Sequence, residues 1–138
     1  MVDNLTKEKR SKIMRSIRSK DTKPELLVRK ILTGLGYRYR LHTKHLPGRP
    51  DIAFIGKKKA IFIHGCFWHS HANCPIAKVP ENDFWKEKLG RNQARDLKAL
   101  NALEASGWSV LTLWECSLKN TEQTTITLNN FLKVENAV

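Results

Sequence analysis

Apolar positions recur along this chain with two periods, and the places where the period changes mark its elements. From Pro24 to Leu35 the period is helical: Leu27, Ile31 and Leu35 share one face, and Val28 with Leu32 widens it. Asp21 or Thr22 supplies a cap, and Pro24 falls in the first turn, where a missing N–H costs little. Gly34 and Gly36 mark the end. Tyr37 to Leu41 then alternates, with Arg38 and Arg40 outward, as in a half-buried strand. His42 to Pro50 reads as a loop by its Pro and Gly content. Asp51–Ile55 and Ala60–His64 are two further strands, joined by the basic turn Gly56-Lys57-Lys58-Lys59. A turn this short makes them antiparallel neighbours, so Asp51 and the Ile63-His64 end lie together. Asp83 to Ala105 reads as a long helix with Leu89, Leu97, Leu100 and Leu103 towards the core, and with Gly90 as a point of weakness. Gly107 ends it, Trp108–Trp114 alternates as a strand, and Thr121–Lys133 is a final helix. The order predicts an α/β domain with a mixed central sheet flanked by helices.

Composition adds a partner. The 138 residues are 41% hydrophobic, enough for one compact domain, and the formal charge is +12. Such a balance points to a polyanion, nucleic acid before membrane. The sequence has no run approaching the roughly 18 apolar residues that span a bilayer. Its polar, basic amino terminus lacks the apolar centre of a secretory signal, so a cytoplasmic location is expected. Lys7 to Lys20 concentrates seven Lys or Arg residues against the single acid Glu8. Ile13, Met14 and Ile17 give it a narrow apolar stripe. A solvated charged face is one reading; a short helical arm lying along phosphates through Lys12, Arg15, Arg18 and Lys20 is the other. The long helix repeats the bias with Lys86, Lys88, Arg91, Arg95 and Lys98.

Chemistry is concentrated in Ile61-Phe62-Ile63-His64-Gly65-Cys66-Phe67-Trp68-His69-Ser70-His71-Ala72-Asn73-Cys74. Three of the five histidines and two of the three cysteines fall there. An odd cysteine count beside histidines favours metal ligation in a reducing compartment over disulfides. Cys66-x4-His71-x2-Cys74 has the short spacing of a zinc loop, and Cys116 completes a Cys3His set. Cys66-x2-His69 is also sterically feasible, so spacing alone does not choose between His69 and His71. Asp51, in Gly48-Arg49-Pro50-Asp51, is the only acid between Glu25 and Glu81. Glu25 itself fits an ordinary helix-dipole partner, worth about 0.3–1 kcal/mol. Phe67, Trp68 and Trp85 fit buried aromatics, although the first two stand in a loop.

Arg49-Pro50-Asp51, then Ile63-His64-Gly65-Cys66-Phe67-Trp68-His69-x-His71, then Trp114-Glu115-Cys116, resembles the very short patch repair (Vsr) endonucleases from about Thr6 to Cys116. The resemblance implies a restriction-endonuclease-like fold. Residues 1–20 would form a basic DNA-binding arm and 21–138 a catalytic domain. It also implies a DNA mismatch endonuclease that nicks the T strand of T·G pairs left by 5-methylcytosine deamination. Nucleases of this fold usually carry an acid and a lysine on the strand after Pro-Asp, whereas Phe62-Ile63-His64 has neither. The Vsr pattern accommodates this through Mg2+ held by Asp51, the Ile63 backbone carbonyl and water. By the same resemblance His69 is the general base, His64 assists it, and Glu25 acts through water near the metal. Structural Zn2+ goes to Cys66, His71, Cys74 and Cys116, which frees His69. Two residues, Ala72-Asn73, separate His71 from Cys74 here, where the best-known relatives have one. Phe67 and Trp68, and more loosely Trp85, match aromatics that enter the duplex beside the mismatch. The expected partner is double-stranded DNA bound by a monomer acting on the bacterial nucleoid, with repair-protein partners left open. Two rival classes remain: a zinc-containing DNA-binding module without catalysis, and a restriction-type nuclease on matched DNA.

Overall fold

The computed structural model describes residues 22–72, 74 and 82–133. The proposed arm, with Lys12, Arg15, Arg18 and Lys20, lies outside them. Helix α1 (Lys23–Gly34) starts where the Thr22 hydroxyl accepts the Glu25 N–H at 3.3 Å and Pro24 occupies the first turn. Strands β1 (Arg40–Leu41), β2 (Ile52–Phe54) and β3 (Lys59–His64) follow, then helix α2 (Asp83–Ala105), strand β4 (Ser109–Trp114), a 3-10 turn (Glu115–Lys119) and helix α3 (Thr121–Lys133). The sheet order is β1-β2-β3-β4. The first two pairings are antiparallel and β3–β4 is parallel, so α2 is the crossover between parallel neighbours.

Alternation divides the sheet into two faces. Ile52, Phe54, Ile61 and Leu113 pack with Val28 and Leu32 of α1, Leu118 of the 3-10 turn, and Leu128 and Leu132 of α3. On the opposite face the small residues Ala53 and Ala60 are fully buried, and Phe62 lies beside Ala99 of α2 at Gly48. Gly48, at φ +74°, brings the 42–51 loop so close that a Cβ there would stand 2.5 Å from the Ala99 Cβ. Any side chain at Gly48 would push α2 off the sheet.

Four local expectations are corrected. β1 is two residues long rather than five, and it ends at His42, whose backbone turns left-handed at φ +46°. Lys59 is not in an exposed turn: it opens β3, is 2% exposed, and donates from Nζ to the Phe131 carbonyl at 2.6 Å. That puts a cation on the carbonyl end of α3, where the helix dipole favours it. Leu97 is 58% exposed and Leu35 38%, so the buried stripes run through Leu89–Ala99–Leu103 and Val28–Leu32 instead. Gly90 does not interrupt α2, which is continuous over 23 residues.

Candidate active site and metal centre

The C-terminal end of β3 and the start of β2 hold three groups of polar side chains close together. The first is Asp51, Glu25 and His42. Asp51 Oδ2 accepts the Ile63 N–H at 2.7 Å, which fixes the carboxylate beside β3. Glu25 is 1% exposed, and its carboxylate accepts from His42 Nε2 at 2.9 Å and from Arg29 Nη1 at 3.1 Å. Burial pushes the Asp51 carboxyl up to about 6; the Ile63 N–H opposes this, the Glu25 charge adds to it, and His42 and His69 oppose it. Two carboxylates this close, Glu25 buried and Asp51 half-buried, favour a cation between them, so the donor set fits a divalent metal.

His64, His69 and Asp96 form the second group. The two imidazoles stack with centroids 3.7 Å apart and planes within 5°. His69 Nδ1 lies 2.6 Å from Asp96 Oδ2. A carboxylate only accepts, so Nδ1 carries the proton and the lone pair of His69 is on Nε2. Burial, with the neighbouring His69, lowers the His64 pKa to about 4 against the opposing pull of Asp96. His64 is therefore neutral at physiological pH, and its buried Nδ1 has no hydrogen-bond partner among the described residues. An orphan nitrogen here is suited to a water or phosphate oxygen that arrives with substrate.

The third group is Cys66, His71, Cys74 and Cys116, each offering a ligand atom within 4.8 Å of the others. Cys66 is fully buried at the end of β3, and its sulfur accepts the Cys116 N–H at 3.4 Å. Cys116 is in the 3-10 turn just after β4, and its Sγ is 3.4 Å from His71 Nδ1. Ser70, at φ +54°, reverses the chain between the two histidines. His71 consequently stacks on Trp114 at 4.1 Å while His69 turns to Asp96. This geometry separates the two histidines that spacing left equivalent. Burial drives the Cys66 thiol up to about 12, and Cys74 and Cys116 add to the rise against the Cys116 N–H. Three thiols and an imidazole converging on one point, Cys66 buried and the other three half-buried, are a soft donor set that fits zinc.

Phe67 and Trp68 are half-buried and pack edge-on against each other and against Trp85, with centroid separations of 5.1, 5.3 and 5.8 Å. Trp85 is 4% exposed, so it acts as the backing for the other two rather than as a free aromatic. Asn92 of α2 donates to the Trp68 carbonyl at 2.9 Å, fixing the loop to the helix. Sequence reasoning missed two residues. Asp96 had a signal, since it is the only acid between Glu87 and Glu104 on a basic helix. His42 had none, because its role depends on a left-handed turn at the end of β1.

A family model described as "DNA mismatch endonuclease Vsr" matches residues 2–75. Among curated relatives, the type II nicking enzyme V.XorIIP of Xanthomonas oryzae is 44% identical over 96% of this chain and 98% of its own length. The type II nicking enzyme V.NmeAIP of Neisseria meningitidis is 48% identical over 87% of this chain and 86% of its own length. The DNA mismatch endonuclease Vsr of Escherichia coli is 43% identical over 91% of this chain and 81% of its own length.

Proposed function

From the premise that the chain belongs to the Vsr DNA mismatch endonuclease family, we propose that it nicks the T-bearing strand at T·G mismatches produced by deamination of 5-methylcytosine. Family membership removes the reading of a zinc module without catalysis. The observation that carries the proposal is Asp51, hydrogen-bonded to the Ile63 N–H next to His64 and within electrostatic reach of His69, with an aromatic loop following β3.

Mg2+ would be held by Asp51 and the Ile63 carbonyl, with Glu25 acting through water, and supplies Lewis-acid stabilisation of the charge that develops on the phosphate. The chain's own residues do the rest. His69 Nε2 accepts the proton of the attacking water, and Asp96 holds the ring in the tautomer that leaves this atom free. Neutral His64, stacked beneath, offers a nitrogen to phosphate or water. Zn2+ would be held by Cys66, His71, Cys74 and Cys116; four protein ligands leave no open position, which makes its role structural. Cys66 and Cys116, as ligands, would tie the loop carrying Phe67, Trp68 and His69 to the end of β4. A single chain carries both donor sets, which is consistent with a monomer acting on double-stranded DNA. No described helix is long and apolar enough to cross a membrane.

Asp96 is a positioning residue in this scheme. Asp96→Asn is expected to lower the single-turnover rate on the order of 10²-fold, because an amide lets the ring adopt the wrong tautomer. DNA affinity should not change, and Asp96→Glu should recover part of the rate. An undiminished rate in Asp96→Asn would remove the pair from the chemistry.

Mismatch selection is assigned to Phe67 and Trp68. Inserting them between bases costs unstacking, least at a mispair, and stacking returns about 1–3 kcal/mol per base. With both replaced by Ala, the binding preference for T·G over matched duplex should narrow while the salt dependence stays the same. Removing residues 1–20 should do the reverse: affinity falls for both duplexes, and the log–log salt slope drops by roughly 0.9 for each phosphate no longer neutralised. A folded, zinc-replete Phe67→Ala/Trp68→Ala protein that discriminates T·G undiminished would return these rings to a purely structural role.

A further inference from the structure

His42 stands next to both catalytic carboxylates, and the proposed mechanism gives it no task. It directly follows β1, with its backbone in the left-handed region at φ +46°, a conformation a non-glycine residue keeps only when its surroundings enforce it. Its N–H donates to the Asp51 carbonyl at 3.1 Å. Its Nε2 lies 2.9 Å from each oxygen of Glu25, and Arg29 Nη1 donates to Oε2 at 3.1 Å. One ligand atom each from Glu25, His42 and Asp51 lies within 4.8 Å of the others.

Carboxylate oxygens only accept, so a bare lone pair on Nε2 facing them would be repulsive. Something positive has to occupy the space between. In the metal-free protein it is a proton on Nε2. A divalent cation can take that place, the Nε2 proton passing to Nδ1 or to solvent, so that the imidazole exchanges one donor for one ligand atom.

We propose that His42 Nε2 is a direct ligand of the catalytic divalent cation, and that this nitrogen makes the site prefer a first-row transition ion such as Mn2+ to Mg2+. The inference rests on the reading that Asp51 holds the catalytic metal. Mg2+ favours an all-oxygen set and sheds water reluctantly, whereas imidazole is a good ligand for transition ions.

The test uses full-length, zinc-replete protein and Mn2+ as the probe. Free Mn2+ is followed by electron paramagnetic resonance with Mg2+ as competitor, and bound Mn2+ is examined by pulsed resonance for coupling to a directly bonded 14N. The unsubstituted protein should bind Mn2+ at least about tenfold more tightly than Mg2+ and show the nitrogen coupling. His42→Gln retains an N–H able to reach Glu25 but has no imidazole, so the coupling should vanish and most of the preference with it. His42→Asn, which tolerates left-handed backbone, is the second variant should Gln disturb folding. Nitrogen coupling that persists in these variants, or is missing from the unsubstituted protein while Mn2+ binds, overturns the role of His42. Asp51→Asn separates the underlying assignment: Mn2+ affinity that survives it undiminished overturns the placing of the metal itself.

Discussion

Asp51→Ala is expected to lower nicking of a T·G duplex by at least about 10³-fold while leaving affinity for that duplex nearly unchanged. The carboxylate is held 2.7 Å from the Ile63 N–H and faces the cluster of Glu25 and His42, so its removal empties the place where charge on the phosphate would be neutralised. Binding should persist because the proposed phosphate contacts and aromatic stacking would lie elsewhere. Retained cation-dependent nicking by Asp51→Ala would place the metal away from β2.

The same carboxylate has a stability consequence of definite sign in the metal-free protein. Its pKa rises from 3.8 to about 6, chiefly through burial. The folded form therefore holds the proton more tightly than the unfolded chain. Stability from this group is fully present below pH 4 and is lost as pH rises through about 6. Asp51→Asn, whose amide oxygen can still accept the Ile63 N–H, should make metal-free protein more stable at pH 7, by up to about 3 kcal/mol. The gain should disappear near pH 4. Denaturant midpoints across this range give the answer, and a variant less stable at pH 7 would contradict the reading of a carboxylate held against its charge.

Cys116→Ser should have the largest structural effect. Purified protein is expected to carry about one zinc per chain, and this variant should lose it together with several kcal/mol of stability. The cause is local: Cys66 follows β3, Cys116 follows β4, and the ion would join both strand ends to the loop between them. Because burial raises the Cys66 thiol to about 12 without a metal, zinc binding must expel its proton, and zinc affinity should fall as pH is lowered. Metal analysis with thermal melting tests both points. Unchanged zinc in Cys116→Ser would mean another fourth ligand, with His69 the first to examine.

Much of this was legible along the chain, for physical reasons. Periods of two and 3.6 distinguished the described helices and strands in order, and the short turn at 56–58 required the β2–β3 hairpin that sets Asp51 beside Ile63. What periodicity does not carry is the choice among several apolar residues around a helix. The core packs Val28 and Leu32 of α1 and leaves Leu35 exposed, and on α2 the close approach made by Gly48 selects Ala99 over Leu97. Residue spacing likewise left His69 and His71 equivalent; the left-handed turn at Ser70 separates them. His42 becomes a functional candidate only through tertiary contact, across 17 residues from Glu25, and the lone acid Asp96 finds its partner only across 27 residues at His69. For Trp85 the sequence offered both a buried ring and a looser match to a DNA-contacting one; its packing against Phe67, Trp68 and Phe84 selects the buried reading.

Selective incision is open to one direct measurement. Zinc-replete protein is mixed in excess with two duplexes of identical flanking sequence, one with a single T·G pair and one with T·A, each strand labelled in turn. Incision is followed over time with Mg2+ added and with Mg2+ omitted. The T strand of the T·G duplex alone should be cut, and only when Mg2+ is added. Equal incision of the T·A duplex, cutting of both strands, or incision that proceeds without added Mg2+ would contradict the proposed function.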